Sequence, residues 1–211
     1  MTEIHFPPAV LPVHGVHGTV IGTGTVVAPG FVLTALHVID PEPVHGLQVG
    51  EGRQVAASAT LPLRRYGEDR HLALISYQRD RILTGGDLGT ADLAMLAVPD
   101  LDVEVLSLRH NTIRDGEMIS VPGYPTGERR ISSGPVVSHD DANFIAEVAL
   151  QTGNSGSPAL DRHGRVAGLA ILDYEPLGAI FVGPQLLLTF TRRAIPLLTR
   201  VLTHDKGDAG E

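Results

Sequence analysis

The chain of 211 residues has no cysteine, 24 glycines, 15 prolines and a formal net charge of −8. This acidic balance argues against a nucleic-acid or membrane partner, because binding to phosphate groups requires a basic surface. No apolar stretch reaches the ~18 residues of a membrane span. Without cysteines or the basic and apolar regions of a signal peptide, the sequence predicts a cytoplasmic protein. A secreted enzyme cut from a precursor is the alternative.

Short apolar runs separated by turn residues predict an all-β fold in two halves. The first half, residues 1–108, contains predicted strands at 19–27, 31–36, 47–49, 55–61, 72–77 and 93–98. The second half, residues 109–203, contains predicted strands at 118–121, 130–137, 144–148, 158–160, 165–172 and 179–182, and a predicted helix at 192–203. Residues 204–211 are expected to form a flexible tail.

Two segments of the first half carry candidate catalytic side chains. The motif T-A-L-H-V at 34–38 places His37 after an apolar strand, and D-L-A-M-L at 92–96 places Asp92 before another. Taken singly, His37 would be an ordinary core histidine and Asp92 a strand cap. The competing carboxylate is Asp87, but the glycines around it and the lack of a following apolar run indicate a turn.

The second half contains the candidate nucleophile, Ser155, in the motif G-N-S-G-S-P at 153–158. A serine hydroxyl is a poor nucleophile unless a histidine accepts its proton and a carboxylate orients that histidine. A lone Gly-x-Ser-Gly is also compatible with a structural turn. Because three motifs occur together in the order His, Asp, Ser, the sequence favours a catalytic triad of His37, Asp92 and Ser155.

At these three places the sequence resembles the trypsin-like (chymotrypsin-fold) serine peptidases, whose motifs read T-A-x-H, D-[IL]-A-[LV] and G-[DN]-S-G-[GS]-P. The resemblance spans residues 18–196. It implies two six-stranded antiparallel β-barrels with the active site in the cleft between them, here followed by the predicted C-terminal helix. It also implies that the N–H groups of Gly153 and Ser155 form the oxyanion hole.

The residue before the nucleophile bears on activation. Digestive members of the family carry an aspartate there, which pairs with a new N-terminal ammonium after propeptide cleavage. Asn154 is instead shared with the bacterial high-temperature-requirement proteases and glutamyl endopeptidases, and Ser157 resembles the latter. A neutral side chain needs no buried cation. We therefore expect the oxyanion loop to form without N-terminal processing.

The resemblance also locates the pocket for the residue before the scissile bond. Where trypsin has an acidic pocket base this chain has Ala149, and where glutamyl endopeptidases have a histidine it has Ala170, so neither basic nor acidic specificity is expected. A small, apolar pocket is predicted from Ala149, Leu150, Ala170, Gly178 and Ile180. Asp173 is either a pocket-lip group that attracts a basic residue or a solvated turn residue. The substrate is expected to pair as an extra strand along 171–173.

Ten histidines, including His14 and His17, raise a zinc hypothesis. The lack of cysteine and of a His-Glu-x-x-His helix argues against it, so we predict no metal and no cofactor.

The predicted function is a serine endopeptidase acting on protein or peptide substrates. The alternative is a peptide-binding or regulatory module of the same fold with little turnover, although the intact triad and Gly153 favour the enzyme. A cytosolic peptidase also requires control. From the long segment 64–90 we expect a regulatory protein partner or a restrictive cleft.

Overall fold

The structure is a computed structural model, and it describes residues 5–40, 43–61, 71–76, 81–87, 92–99, 101–140, 142–174 and 178–207. The N-terminal half contains nine described strands: β1 Val10–His14, β2 Val20–Ala28, β3 Phe31–Thr34, β4 Gln48–Val49, β5 Arg53–Gln54, β6 Ala57–Leu61, β7 His71–Ser76, β8 Arg81–Asp87 and β9 Leu93–Ala97. It also contains the short helix α1 Leu36–Ile39 and a 3-10 turn at Val44–Gly46.

These nine strands form one antiparallel sheet in the order β5-β4-β1-β2-β3-β9-β6-β7-β8. The sequence predicted six of them and missed β1, β5 and β8. The missed strands contain Pro12, the polar pair Arg53 and Gln54, and a Gly-Gly step, all of which weaken the apolar alternation of a strand. The first β unit is therefore more extensive than the expected six-stranded barrel, although the two-unit β fold itself is confirmed.

The C-terminal half contains strands β10 Met118–Gly123, β11 Arg130–His139, β12 Asn143–Ala146, β13 Pro158–Leu160, β14 Val166–Tyr174 and β15 Gly178–Val182. They close into a six-stranded barrel in the order β10-β11-β12-β15-β14-β13, as expected. The pair of Ser120 with Leu160 completes the ring of strands. In its core the rings of Phe144 and Phe181 stack with centroids 4.9 Å apart.

The terminal helix α2, Pro184–Gly207, is longer than predicted and packs on both β units. One core cluster joins Met95 of the N-terminal sheet, Leu169 of the barrel and Phe190 of the helix, all fully buried. The helix begins earlier because Pro184 suits a first helical turn, where its missing N–H group is not needed. Residues 204–207 are helical rather than tail, and 208–211 lie outside the described residues. Among the described helices, none combines the length and apolarity needed to span a membrane.

Candidate active site

Pairing of β3 with β9 brings two candidate residues to one edge of the N-terminal sheet. The strands are antiparallel and pair Thr34 with Ala94, so the end of β3 lies beside the start of β9. His37 follows β3 in α1, and Asp92 directly precedes β9. Residues 55 positions apart in the chain therefore come into contact.

Asp92 binds His37 through both carboxylate oxygens. Oδ1 accepts the backbone N–H of His37 at 2.9 Å, and Oδ2 hydrogen-bonds to Nδ1 of the ring. Nε2 on the other side of the ring lies 2.8 Å from Oγ of Ser155. The Asp92 side chain is only 7% exposed, whereas that of His37 is 47% exposed. Asp92 thus fixes the ring from the protein interior and directs Nε2 toward the serine.

Ser155 lies in the turn between β12 and β13, and backbone hydrogen bonds shape this nucleophile loop. Asn154 N–H donates to Gln151 O at 2.9 Å, and Gly156 N–H donates to Ala170 O at 2.8 Å. Among the described residues, the N–H groups of Gly153 and Ser155 donate to no other group. Two adjacent unpaired donors beside a serine hydroxyl can stabilise an oxyanion.

Position 153 requires glycine for two reasons, its backbone conformation and the space around it. Its φ is +99°, in the region that favours glycine. A Cβ at this position would lie 2.3 Å from the carbonyl oxygen of Tyr124. Glycine therefore allows the loop to turn against the segment that follows β10.

Threonines of the N-terminal sheet hold the nucleophile loop from the opposite side of the cleft. Thr23 donates its N–H to Ser155 O at 2.8 Å and its hydroxyl to Gly153 O at 2.7 Å. Thr25 donates its hydroxyl to Gly156 O at 3.3 Å. Sequence analysis missed these contacts. The available signal was the pair of threonines two residues apart in an apolar strand, which places both on one buried face.

A cleft pocket of about 200 Å³ adjoins the serine. It is lined by His37, Leu150, Gln151, Thr152, Asn154, Ser155, Ala170 and Ile171. The lining includes Leu150 and Ala170, which the sequence predicts in the pocket, and Ile171, which it predicts in the strand that pairs with the substrate. Gln151 and Thr152 are not predicted from the sequence.

Three of the expected pocket residues, Ala149, Gly178 and Ile180, lie outside this lining. Ala149 is exposed and outside the lining, because alternation along the chain turns its neighbours Val148 and Leu150 inward instead. Gly178 opens β15 with a φ of +111°, and a Cβ there would lie 2.0 Å from Ala146 O, so its role is in the turn. Asp173 pairs with Ala179 through its backbone, and its side chain lies outside the described residues.

A sequence model described as a trypsin-like peptidase domain matches residues 22–169, more than half of the chain. The chain belongs to this family. It is a serine endopeptidase, and its architecture of two β units with a C-terminal helix is the chymotrypsin-like fold. A comparison with curated proteins found no match.

Solved structures show the same fold at low sequence identity. The Rv3671c protease from M. tuberculosis, in its active form, has 19% identity and a TM-score of 0.61 over 85% of this chain and 77% of its own. A serine endoprotease from Yersinia pestis has 19% identity and a TM-score of 0.58 over 90% of this chain and 65% of its own. An inactivated protease paralogue of the scabies mite has 15% identity and a TM-score of 0.64, covering 88% and 92%.

The peptidase has a second concave region, here called the arginine cavity, of about 600 Å³. Its lining comprises Arg109, Asn111, Thr112, Arg114, Glu117, Met118, Asp161, Arg162, His163 and Arg165, none of which lines the cleft pocket. Arg109 donates to both oxygens of Glu117 at 2.5 and 3.0 Å, and Arg165 donates twice to Asp161 at 2.7 and 2.9 Å.

These ion pairs change the titration of the acids in the arginine cavity. The hydrogen bond from Arg109 holds the pKa of Glu117 below its usual 4.5. Burial raises the pKa of Asp161, but hydrogen bonds from Arg165 and neighbouring N–H groups outweigh it and leave the pKa lowered. Both acids are therefore ionised partners of arginines at neutral pH.

Within the described part of the peptidase, no group of three or more potential metal-binding side chains occurs. His14, which motivated the zinc hypothesis, has its two ring nitrogens 3.2 and 3.1 Å from the carbonyl oxygens of Gly18 and Gly50. Both ring nitrogens of His14 therefore face backbone carbonyl groups, which is a structural role for this side chain.

Proposed function

We propose that this peptidase cleaves peptide bonds through an acyl-enzyme formed on Ser155, with His37 and Asp92 as its catalytic partners. The observation that carries the proposal is the position of the His37 ring between the Asp92 carboxylate and the Ser155 hydroxyl, with Nε2 and Oγ 2.8 Å apart. This is the arrangement in which an imidazole can accept the proton of an attacking serine.

In the proposed reaction, Oγ of Ser155 attacks the scissile carbonyl carbon while Nε2 of His37 takes the hydroxyl proton. The tetrahedral intermediate collapses, the carbon–nitrogen bond breaks, and His37 returns the proton to the leaving amine. Water then attacks the acyl-enzyme with His37 again as base, which releases the carboxylic acid and restores Ser155. Asp92 holds the imidazole tautomer and stabilises the imidazolium.

The N–H groups of Gly153 and Ser155 are the proposed oxyanion donors. Their lack of partners within the described chain and the left-handed φ of Gly153 support this role. Losing one such donor typically costs about 10²- to 10³-fold in turnover. The Thr23 contacts to both residues would keep these donors aligned as charge develops on the substrate oxygen.

The proposed preference is for a small or apolar residue before the scissile bond. Leu150, Ala170 and Ile171 provide an apolar part of a cleft pocket of only about 200 Å³. No carboxylate or arginine belongs to its described lining, so a charged substrate side chain would lose hydration without gaining an ion pair. The backbone of β14 beyond Ala170, at 171–173, is the proposed pairing edge for an extended substrate.

The oxyanion loop is proposed to form without N-terminal processing. Asn154 is neutral and only 4% exposed, so the loop contains no buried carboxylate that would require an ammonium partner. We further propose action in the cytoplasm, with secretion as the alternative, and control by a protein partner. The segment 64–90, which motivated the control hypothesis, lies partly outside the described residues.

Labelling with a fluorophosphonate probe tests the catalytic proposal. The intact protein should be labelled and Ser155→Ala should not. Ser157→Ala is a matched control, because this buried hydroxyl of the same loop has no hydrogen-bond partner among the described residues. Its removal should leave labelling unchanged. An unlabelled wild-type protein would instead support the peptide-binding module.

A peptide library tests specificity separately. Cleavage after small or apolar residues is expected, and the cut sites would be read by mass spectrometry. Cleavage mainly after arginine or lysine would contradict the proposed pocket and point to Asp173 as the selecting group.

A further inference from the structure

The N-terminal segment contacts the residue against which the oxyanion loop turns. The ring of Phe6 lies edge-on to that of Tyr124, with centroids 5.4 Å apart and an interplanar angle of 78°. The guanidinium carbon of Arg129 lies 5.5 Å from the centroid of the Phe6 ring. Residues 5–10, here called the strap, thus cover one side of Tyr124.

Hydrogen bonds hold the Tyr124 side chain to the strap. Its hydroxyl donates to Val10 O at 3.3 Å and accepts a hydrogen bond from Nε of Arg129, also at 3.3 Å. The strap is itself folded, because Val10 N–H donates to Pro7 O at 3.1 Å. Tyr124 is only 6% exposed. A buried phenol bound at ring and hydroxyl has little freedom to change position.

The backbone of Tyr124 in turn bounds Gly153. A Cβ on Gly153 would lie only 2.3 Å from the carbonyl oxygen of Tyr124. Its N–H donates to the hydroxyl of Thr23 at 3.1 Å, and that hydroxyl donates to Gly153 O at 2.7 Å. Tyr124 therefore meets the oxyanion glycine by direct contact and through one threonine.

The turn after Tyr124 provides a second connection to the same loop. Thr126 has a φ of +54°, a left-handed conformation that is strained for a threonine. Its N–H donates to Thr152 O at 2.9 Å, next to Gly153. Strained residues persist where the surrounding contacts fix them. The strained turn therefore belongs to the framework that supports the oxyanion loop.

From these contacts we infer that the strap is a positioning element for the oxyanion hole, acting from Phe6 through Tyr124 to Gly153. The inference rests on the proposed function and extends it. It supplies a packed support for the loop that does not depend on an ammonium–carboxylate pair, in a chain whose residue 154 is an asparagine. Phe6, Tyr124 and Arg129 are positioning residues, since none of them lines the cleft pocket.

Hydrogen–deuterium exchange of the full chain tests the inference without requiring turnover. In Phe6→Ala, exchange should accelerate in the nucleophile loop, 151–157, relative to strand β12, which carries none of these contacts. Phe6→Leu, which keeps an apolar side chain, provides a second variant should Phe6→Ala fold poorly. Phe31→Ala is the matched control, because Phe31 is a partly buried ring that packs on the shared core. It should not accelerate exchange in the loop selectively.

Peptide kinetics on the same variants show whether the support matters for catalysis. We expect kcat of Phe6→Ala to fall about tenfold, less than the 10²- to 10³-fold expected for losing a donor, because the donors remain present but less aligned. KM should change less than twofold, since the strap does not line the cleft pocket.

The outcomes separate the two proposals. Unchanged loop exchange in both Phe6 variants would overturn the role of the strap, whether or not the protein cleaves peptides. Selective loop exchange with a lower kcat would support both. A rise in KM at unchanged kcat would overturn the positioning role, because it would indicate a substrate contact. Selective loop exchange in the Phe6 variants, combined with a wild-type protein that neither reacts with fluorophosphonate nor cleaves peptides, would support the strap and overturn the proposed function.

Discussion

The cleft pocket and the arginine cavity differ in how their polar groups are used. The arginine cavity is larger and more charged, at about 600 Å³ against about 200 Å³, but its buried carboxylate and its most buried arginine are held by ion pairs. In the cleft, the Ser155 hydroxyl has the His37 ring as its one hydrogen-bond partner among the described residues, and the N–H groups of Gly153 and Ser155 have none there. We therefore place the candidate active site where polar groups are unpaired rather than where volume or charge is largest.

The sharpest test of this comparison is the orientation of His37. Asp92→Asn should lower kcat by about 10⁴-fold, because an amide favours the wrong imidazole tautomer. The matched control is Asp115→Asn, since Asp115 contacts Nδ1 of His139 at 2.8 Å on the exposed surface, with no role in the cleft. Steady-state kinetics on a chromogenic peptide measure both. Equal losses in the two variants, or none in either, would contradict the assignment.

A smaller effect is expected from the glycine turns of the two regions. Gly153→Ala places a Cβ 2.3 Å from Tyr124 O, so the loop must move, and kcat should fall about 10²- to 10³-fold. Gly164→Ala provides a comparison beside the arginine cavity, because Gly164 also has positive φ, +73°, but has open space around it. It should cost about 1–2 kcal/mol of stability and leave kcat unchanged.

Those two variants would be compared by kcat on one peptide and by the free energy of unfolding in urea. Full activity in Gly153→Ala would show that the oxyanion loop tolerates displacement. The glycine turns of the cleft pocket and of the arginine cavity would then not differ in their effect on kcat.

The smallest expected effect concerns the arginine cavity and is one of stability. Glu117→Gln should leave peptide hydrolysis at pH 7 unchanged but lower the free energy of unfolding by about 1 kcal/mol, since Glu117 is partly solvated and the amide retains one hydrogen bond. Because the folded-state pKa of Glu117 lies below its usual 4.5, its stabilisation is present above 4.5. The stabilisation is lost as the pH falls through the lower folded-state value.

The difference between wild type and Glu117→Gln should therefore shrink in acid when urea unfolding is followed from pH 7 downward. Glu104→Gln, which removes an exposed carboxylate, serves as the control for net charge. A difference that is independent of pH would indicate that Glu117 acts through packing alone. A loss of hydrolysis in Glu117→Gln would show that the arginine cavity is linked to the active site.

Local patterns allowed much of the fold and site to be predicted. The short apolar runs predicted the strands of the C-terminal half, and the resemblance of the three motifs around His37, Asp92 and Ser155 to the trypsin-like peptidases implied that these strands close into a barrel. Strand β1 was missed because Pro12 and the absence of a long apolar run hide it. The spacing of six residues before Ser155 predicts Ala149 in the pocket, but Ala149 is exposed because the direction of its side chain depends on how the chain enters the turn.

The sequence by itself determined the family, the two β units and the residues of the proposed triad, because each is encoded in a short, contiguous pattern. Only the tertiary structure decided what supports them. Thr23 meets Gly153 across 130 positions of the chain, and Tyr124 meets Val10 across 114. No local periodicity reports on such contacts, since they arise when the two halves pack together. The glycines of the proposed oxyanion loop thus predict the loop from the sequence, but residues far away in sequence stabilise it.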